Sequence, residues 1–122
     1  MNAHTVLIDR YFDIWNETDA QRRKALIAAT WASDATYVDP LLSGRAHDGI
    51  DAMIRAVHER FPRHTFRRTT DVDGFADRLR FSWELKTPDG VPIAKGSDFG
   101  QLDAEGRLLA VTGFLDAAPG AA

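Results

Sequence analysis

The sequence predicts an α+β domain in which three helices, grouped first, lie on one face of a bent antiparallel sheet and enclose a cavity with it. Three observations predict this. Apolar residues recur at helical spacing in three stretches before Pro62, they alternate at strand spacing after Arg63, and turn-forming Asp, Gly and Pro clusters divide the second half at short intervals. At 122 residues the chain has the size of one compact domain, which buries roughly two-thirds of the surface its unfolded form exposes. Residues 1–116 read as a single domain without linker or internal repeat, and the tail Ala117–Ala122, which contains Pro119-Gly120, is expected to be flexible.

The elements follow in order. Leu7/Ile8, Tyr11/Phe12 and Trp15 form the i, i+3, i+4, i+7 stripe of a helix from Thr5, its expected cap, to Trp15. Asn16-Glu17-Thr18-Asp19 breaks it and caps a second helix, Ala20 to Thr30, rich in Ala, Leu, Arg, Lys and Gln, so the two should make a hairpin. Ala35-Thr36-Tyr37-Val38-Asp39 has strand character and stops at Pro40, which lacks the amide donor a ladder needs. Leu41 to His47 reads as a loop. A third helix opens at His47 or Asp48, buries Ile50, Met53, Ile54, Val57 and Phe61, and ends at Pro62. Strand-like runs at about 65–73, 77–87, 91–102 and 107–116 are separated by Asp73-Gly74, Pro88-Asp89-Gly90 and Asp103-Ala104-Glu105-Gly106, which favour tight turns and give a three-hairpin meander. In the second run Leu79, Phe81, Trp83 and Leu85 alternate with Arg78, Arg80, Ser82, Glu84 and Lys86, one face buried and the other wet.

Composition narrows the function classes. With 44% apolar and 27% charged residues the chain is an ordinary folded, water-soluble type, and 15 basic against 18 acidic side chains give a net charge of −3, too neutral to hold a polyanion by charge. Nucleic acid is not an expected partner. The chain has no cysteine, which removes disulfides, thiolate metal sites and cysteine nucleophiles and suits a cytoplasmic setting. No apolar run approaches the roughly 18 residues of a membrane span, so no membrane is expected. His4, His47, His58 and His64 lack any metal-binding spacing, so neither metal nor cofactor is expected. Asp98-Phe99-Gly100 and Ile93-Ala94-Lys95 imitate kinase motifs, but no catalytic loop separates them and the chain is too short for that fold. Arg55, Arg60, Arg63, Arg67 and Arg68 crowd the junction after the third helix, either as a solvated rim or as a recognition patch for an anion.

Three polar residues fall where the pattern predicts a buried face. Tyr11 sits on the stripe of the first helix. Asp39 is two residues from Tyr37 and points to the same side of the strand. Asp98 lies in mid-strand, flanked on its own face by Gly96 and Gly100, whose missing side chains leave room for a ligand. Each has a structural alternative: a core aromatic for Tyr11, a turn carboxylate for Asp39 before Pro40, and a structural hydrogen bond or the outer face for Asp98.

The order of elements over residues 5–116 resembles the nuclear transport factor 2-like (SnoaL-like, cystatin-like) superfamily, and three stretches resemble its Δ5-3-ketosteroid isomerases in particular. These are Arg10-Tyr11, the run Ala32-Ser33-Asp34-Ala35-Thr36-Tyr37-Val38-Asp39-Pro40, and the run Ser97-Asp98-Phe99-Gly100 through Asp103 to Gly106-Arg107. The resemblance implies a cone of three N-terminal helices on a strongly curved antiparallel sheet enclosing a pocket. It also implies Asp39 as the proton-carrying base, with Tyr11 and Asp98 as donors to the substrate oxygen. Trp31 and Val57 stand where the isomerases carry supporting tyrosines.

The expectation is an isomerase or polyketide-cyclase type of proton transfer on an apolar cyclic carbonyl compound, without a cofactor, with Trp15, Trp31, Tyr37, Phe61, Trp83, Val111 and Leu115 contacting substrate. Phe66 and Phe114 are expected in the core or the pocket wall, and Asp116 at the surface. The resemblance further implies a homodimer paired through the sheet. The competing expectation is a non-catalytic binding or association domain, its pocket blocked by Trp83 or Phe99. An epoxide hydrolase would require an Asp-Arg-Asp set with Arg80 turned inward.

Overall fold

The computed structural model describes residues 2–117. Helix α1 (Ala3–Asn16) begins earlier than its apolar stripe because Asn2, not Thr5, caps it, its side chain accepting the Thr5 N–H at 2.9 Å. Leu7, Ile8, Tyr11, Phe12, Ile14 and Trp15 are its buried face. Asp19 caps α2 (Ala20–Thr30) by accepting the Gln21 N–H. The α2 stripe is weakly apolar, and what anchors it is Arg23, 2% exposed, which donates to Asp51 of α3 at 2.6 Å and to the Glu17 carbonyl at 2.8 Å.

Strand β1 (Trp31–Val38) follows α2 without a loop and is longer than its sequence pattern suggests, because an irregularity between Trp31 and Thr36 breaks the alternation. The expected loop after Pro40 instead contains β2 (Ser43–Arg45), folded back on β1. Helix α3 (Ala46–Arg60) buries Ile50, Asp51, Met53, Ile54 and Val57.

Then come β3 (Thr65–Arg68), β4 (Asp73–Phe75), β5 (Arg78–Lys86), β6 (Pro92–Leu102) and β7 (Leu108–Ala117). Asp73-Gly74, expected as a turn, is part of β4, which hairpins onto β5 through Ala76, held at φ 49°. The alternation in β5 is as the sequence implies, with Leu79, Phe81, Trp83 and Leu85 all buried. The expected flexible tail falls on residues 118–122, outside the described residues; Ala117 closes β7.

The sheet differs from expectation in two respects. It is mixed, in the order β2-β1-β7-β6-β5-β3 with β4 beside β5, and β1 runs parallel to β7. Alternation within a strand records which face is buried but not the direction of its neighbour, so this pairing left no trace in the pattern. The sheet is also open, neither closed nor strongly curled, so a strongly curved sheet that wraps the pocket is not what encloses it. Closure comes from α1, α3 and the turn after β1, which sit over one face of the sheet and leave a space beneath them. Among the described residues no helix is long and apolar enough to cross a membrane.

Candidate active site

The space beneath the helices is a cavity of about 480 Å³. Its walls are aromatic and aliphatic: Phe12 and Trp15 from α1, Val57 from α3, Phe61 just beyond it, Phe66 from β3, Leu85 from β5 and Leu115 from β7. Against these the polar groups stand out. Tyr11, Tyr37, Asp39, Asp98 and Arg60 line the same cavity.

Asp98 is 2% exposed, and both its oxygens are held. The Tyr11 hydroxyl donates to Oδ2 at 2.6 Å and the Trp83 indole N–H donates to Oδ1 at 3.0 Å. Burial raises its carboxyl to about 6, against the pull of those two donors, and the charge of Asp39 adds to the rise. Burial, then the charge of Asp98, drives the Tyr11 phenol well above its ordinary value. Tyr37 is raised by burial, then by Asp98 and Asp39. Both phenols therefore remain protonated donors.

Asp39 serves the turn and the cavity together. Its Oδ1 accepts the Leu41 and Leu42 N–H groups, each at 2.8 Å, and its Oδ2 accepts the Tyr37 hydroxyl at 2.7 Å. Parity along β1 is what allows this, since residues two apart share a side of the strand. The two tyrosine–aspartate pairs meet over Gly113 of β7. A Cβ there would lie 2.9 Å from Asp98 Oδ1, 3.0 Å from the Tyr37 hydroxyl and 3.1 Å from Asp39 Cβ, so only glycine leaves space for the pairs to approach.

Trp15, Tyr37, Phe61, Trp83 and Leu115 line the cavity, whereas Trp31 and Val111 do not. Trp31 packs behind Tyr11, with ring centroids 5.8 Å apart, and its indole N–H has no hydrogen-bond partner among the described residues; Val111 is packed in the core. The room expected beside Asp98 is occupied from within, because the Trp83 indole covers Gly96 and the Leu79 side chain covers Gly100. That is how Trp83 comes to reach the carboxylate. Phe114, expected in the core or pocket wall, is 55% exposed, and Phe99 does not block the cavity but stacks edge-on against Phe114 away from it. Arg80 is also outside, paired with Asp73 at 3.0 Å, so no Asp-Arg-Asp set forms through it.

Sequence patterning did not reveal Gly113, the donor role of Trp83, or Arg60, Leu41, Leu42 and Ala94 as lining. Gly96 opposite Trp83 in the β5–β6 register was the one signal for the second of these. Among the described residues no group of three or more His, Asp or Glu side chains gathers as a metal site.

Fold and site together define a helix-covered pocket domain with an apolar-walled cavity and a buried acid at its floor. No family model and no curated protein matches the sequence. Solved structures do. A presumed isomerase of the SnoaL-like family from Agrobacterium tumefaciens strain C58 is 42% identical, superposes with a TM-score of 0.92, and is covered over 100% of its length by 96% of this chain. An NTF2-like protein of unknown function from Exiguobacterium sp. 255-15 is 22% identical over 90% of this chain and 98% of its own, with a TM-score of 0.71. A protein of unknown function with a cystatin-like fold from Nostoc punctiforme is 13% identical over 94% of this chain and 90% of its own, at 0.73. The last two share the fold. The first shows the family: this chain belongs to the SnoaL-like family.

Proposed function

We propose that the protein is an isomerase or cyclase that moves a proton on an apolar cyclic carbonyl compound without a cofactor, and that Asp98 carries the proton. The observation that supports this most is a carboxyl that is buried at the cavity floor, titrates near 6 and is oriented by two donors. A group with that value is about nine-tenths ionised at pH 7 and still accepts a proton readily, which is the balance a general base needs.

Asp98 takes a proton from the carbon beside the carbonyl, the C–H electron pair moves into the enolate, and the new charge gathers on oxygen. Once protonated, Asp98 no longer needs the Tyr11 hydrogen, which turns to the enolate oxygen and stabilises it in a dry site. Asp98 then returns its proton to another carbon. This exchanges the roles that the likeness to ketosteroid isomerases implies, in which the residue matching Asp39 is the base and that matching Asp98 is a donor kept neutral by its apolar surroundings. Here three donors already occupy Asp39. It keeps Tyr37 in place and adds to the rise of Asp98.

The test is conversion of a cyclic β,γ-unsaturated ketone to its conjugated isomer, followed by ultraviolet absorbance. Asp98→Asn should lower kcat by about 10²–10⁴ with the fold intact, and Asp39→Asn should lower it less. A pure binding domain predicts no conversion by the wild type at all.

The same reading includes a homodimer through the outer face of the sheet, in the cytoplasm. In the paired register Val38, Thr112 and Phe99 form a row across β1, β7 and β6, with Phe114 beside it, all exposed. The Phe99 and Phe114 rings, 5.7 Å apart at 90°, offer an apolar patch that a two-fold axis can pair with itself.

A further inference from the structure

Of the arginines crowded after α3, two are neutralised: Arg67 lies 3.6 Å from Glu84 and Arg68 lies 3.4 Å from Asp9. Arg60 is different. Among the described residues it is the only cationic side chain lining the cavity, it is exposed, and it has no carboxylate within ion-pairing distance. Its guanidinium carbon sits 5.7 Å from the centroid of the Phe61 ring, another lining residue, so the charge is held against the apolar wall by a cation–π contact. The acids of the cavity, Asp39 and Asp98, stand on β1's end and β6, while Arg60 stands at the end of α3. The cavity thus combines a buried acid on the sheet, a second acid in the turn after β1, apolar walls and an exposed cation at the end of α3.

We propose that Arg60 is an anion-recognition residue and that the substrate is an amphiphilic organic anion, a ring-containing carbonyl compound bearing a carboxylate that meets the guanidinium. The proposal rests on the reading of the cavity as a substrate site with Asp98 at its floor. A neutral compound would bury its ring equally well and leave the guanidinium unpaired; a carboxylate on the same ring gains a planar two-point contact that a guanidinium suits. Because Arg60 is exposed, the gain is that of a surface ion pair.

The experiment compares two matched pairs of ligands by tryptophan fluorescence: 2-naphthol against 6-hydroxy-2-naphthoate, and 4-phenylphenol against 4′-hydroxybiphenyl-4-carboxylate. The two lengths allow for the span between Asp98 and Arg60. Wild type should bind one carboxylate about twofold to fivefold more tightly than its neutral partner at low salt, with the preference shrinking as salt rises. Arg60→Gln should abolish the preference, and Arg60→Lys should keep part of it. Equal affinities in wild type for both pairs, or a preference that survives in Arg60→Gln, would overturn the proposal. Failure of the underlying site reading looks different, because none of the four ligands would then bind, whatever stands at residue 60.

Discussion

Asp98, proposed as the proton carrier, also bears on stability. Its carboxyl is at 3.8 when unperturbed and about 6 in the fold, so between those values the native state binds more protons than the unfolded one, and stability falls as pH rises through that window. Above about pH 6 the buried charge costs on the order of 3 kcal/mol. Asp98→Asn removes the charge while its amide oxygen still accepts from Trp83 and its NH₂ donates to the Tyr11 hydroxyl. The variant should therefore unfold at a higher temperature than wild type at pH 8, and the difference should narrow toward pH 4, as measured by circular dichroism. A variant that is less stable at pH 8 would mean the two donors outweigh burial. At this scale the sequence exposed Tyr11, Asp39 and Asp98 as polar residues at positions patterned for burial. It did not expose how they are shared, because hydrogen bonds such as Tyr11–Asp98 join residues 87 apart.

The elements hold this cluster in place through a small number of specific ties. Asn16, at the end of α1, both donates to the Phe66 carbonyl and accepts the Phe66 N–H, which joins the helix carrying Tyr11 to edge strand β3. The Arg23–Asp51 pair, with side chains 3% and 6% exposed, clamps α2 to α3. Removing one member leaves a buried charge alone, so Asp51→Ala should destabilise the domain by about 3–5 kcal/mol in urea unfolding, whereas Arg23→Met with Asp51→Leu together should recover most of the loss. Equal loss in the single and double variants would show that the polar contacts of Arg23, including the one to the Glu17 carbonyl, hold α2, and not merely the absence of a lone buried charge. Periodicity revealed α1, α3 and β5 with their buried faces. It failed at β2 and β4, each three residues long, since so short a run carries no period and their pairing is set by β1 and β5.

For the whole molecule, the relation between sheet and cavity decides what the protein can do. The inner face of β5, β6 and β7 supplies Trp83, Asp98 and Leu115 to the cavity, and the outer face of β6 and β7 exposes Phe99 and Phe114. One strand thus presents alternate residues to the cavity and to the outer face, Asp98 inward and Phe99 outward. The proposed sheet-face dimer predicts that wild type sediments as a dimer and Phe114→Glu as a monomer with its fold intact; a dimer unchanged by the substitution would place the interface elsewhere. The three helices, two of them opening the chain, were legible in the sequence. The openness of the sheet and the parallel β1–β7 contact were not, because both depend on where the chain returns after α3 and not on any local pattern.

The most direct test of Asp98 as the proton carrier is the pH dependence of kcat/KM for isomerisation of a cyclic β,γ-unsaturated ketone, in wild type and in Asp98→Asn. A carboxylate base that titrates near 6 predicts a rate that rises through about pH 6 to a plateau, with that limb absent from the residual activity of the variant. A rate that falls through pH 6, as it must if Asp98 works only while protonated, or an Asp98→Asn enzyme that keeps the wild-type profile, would contradict it.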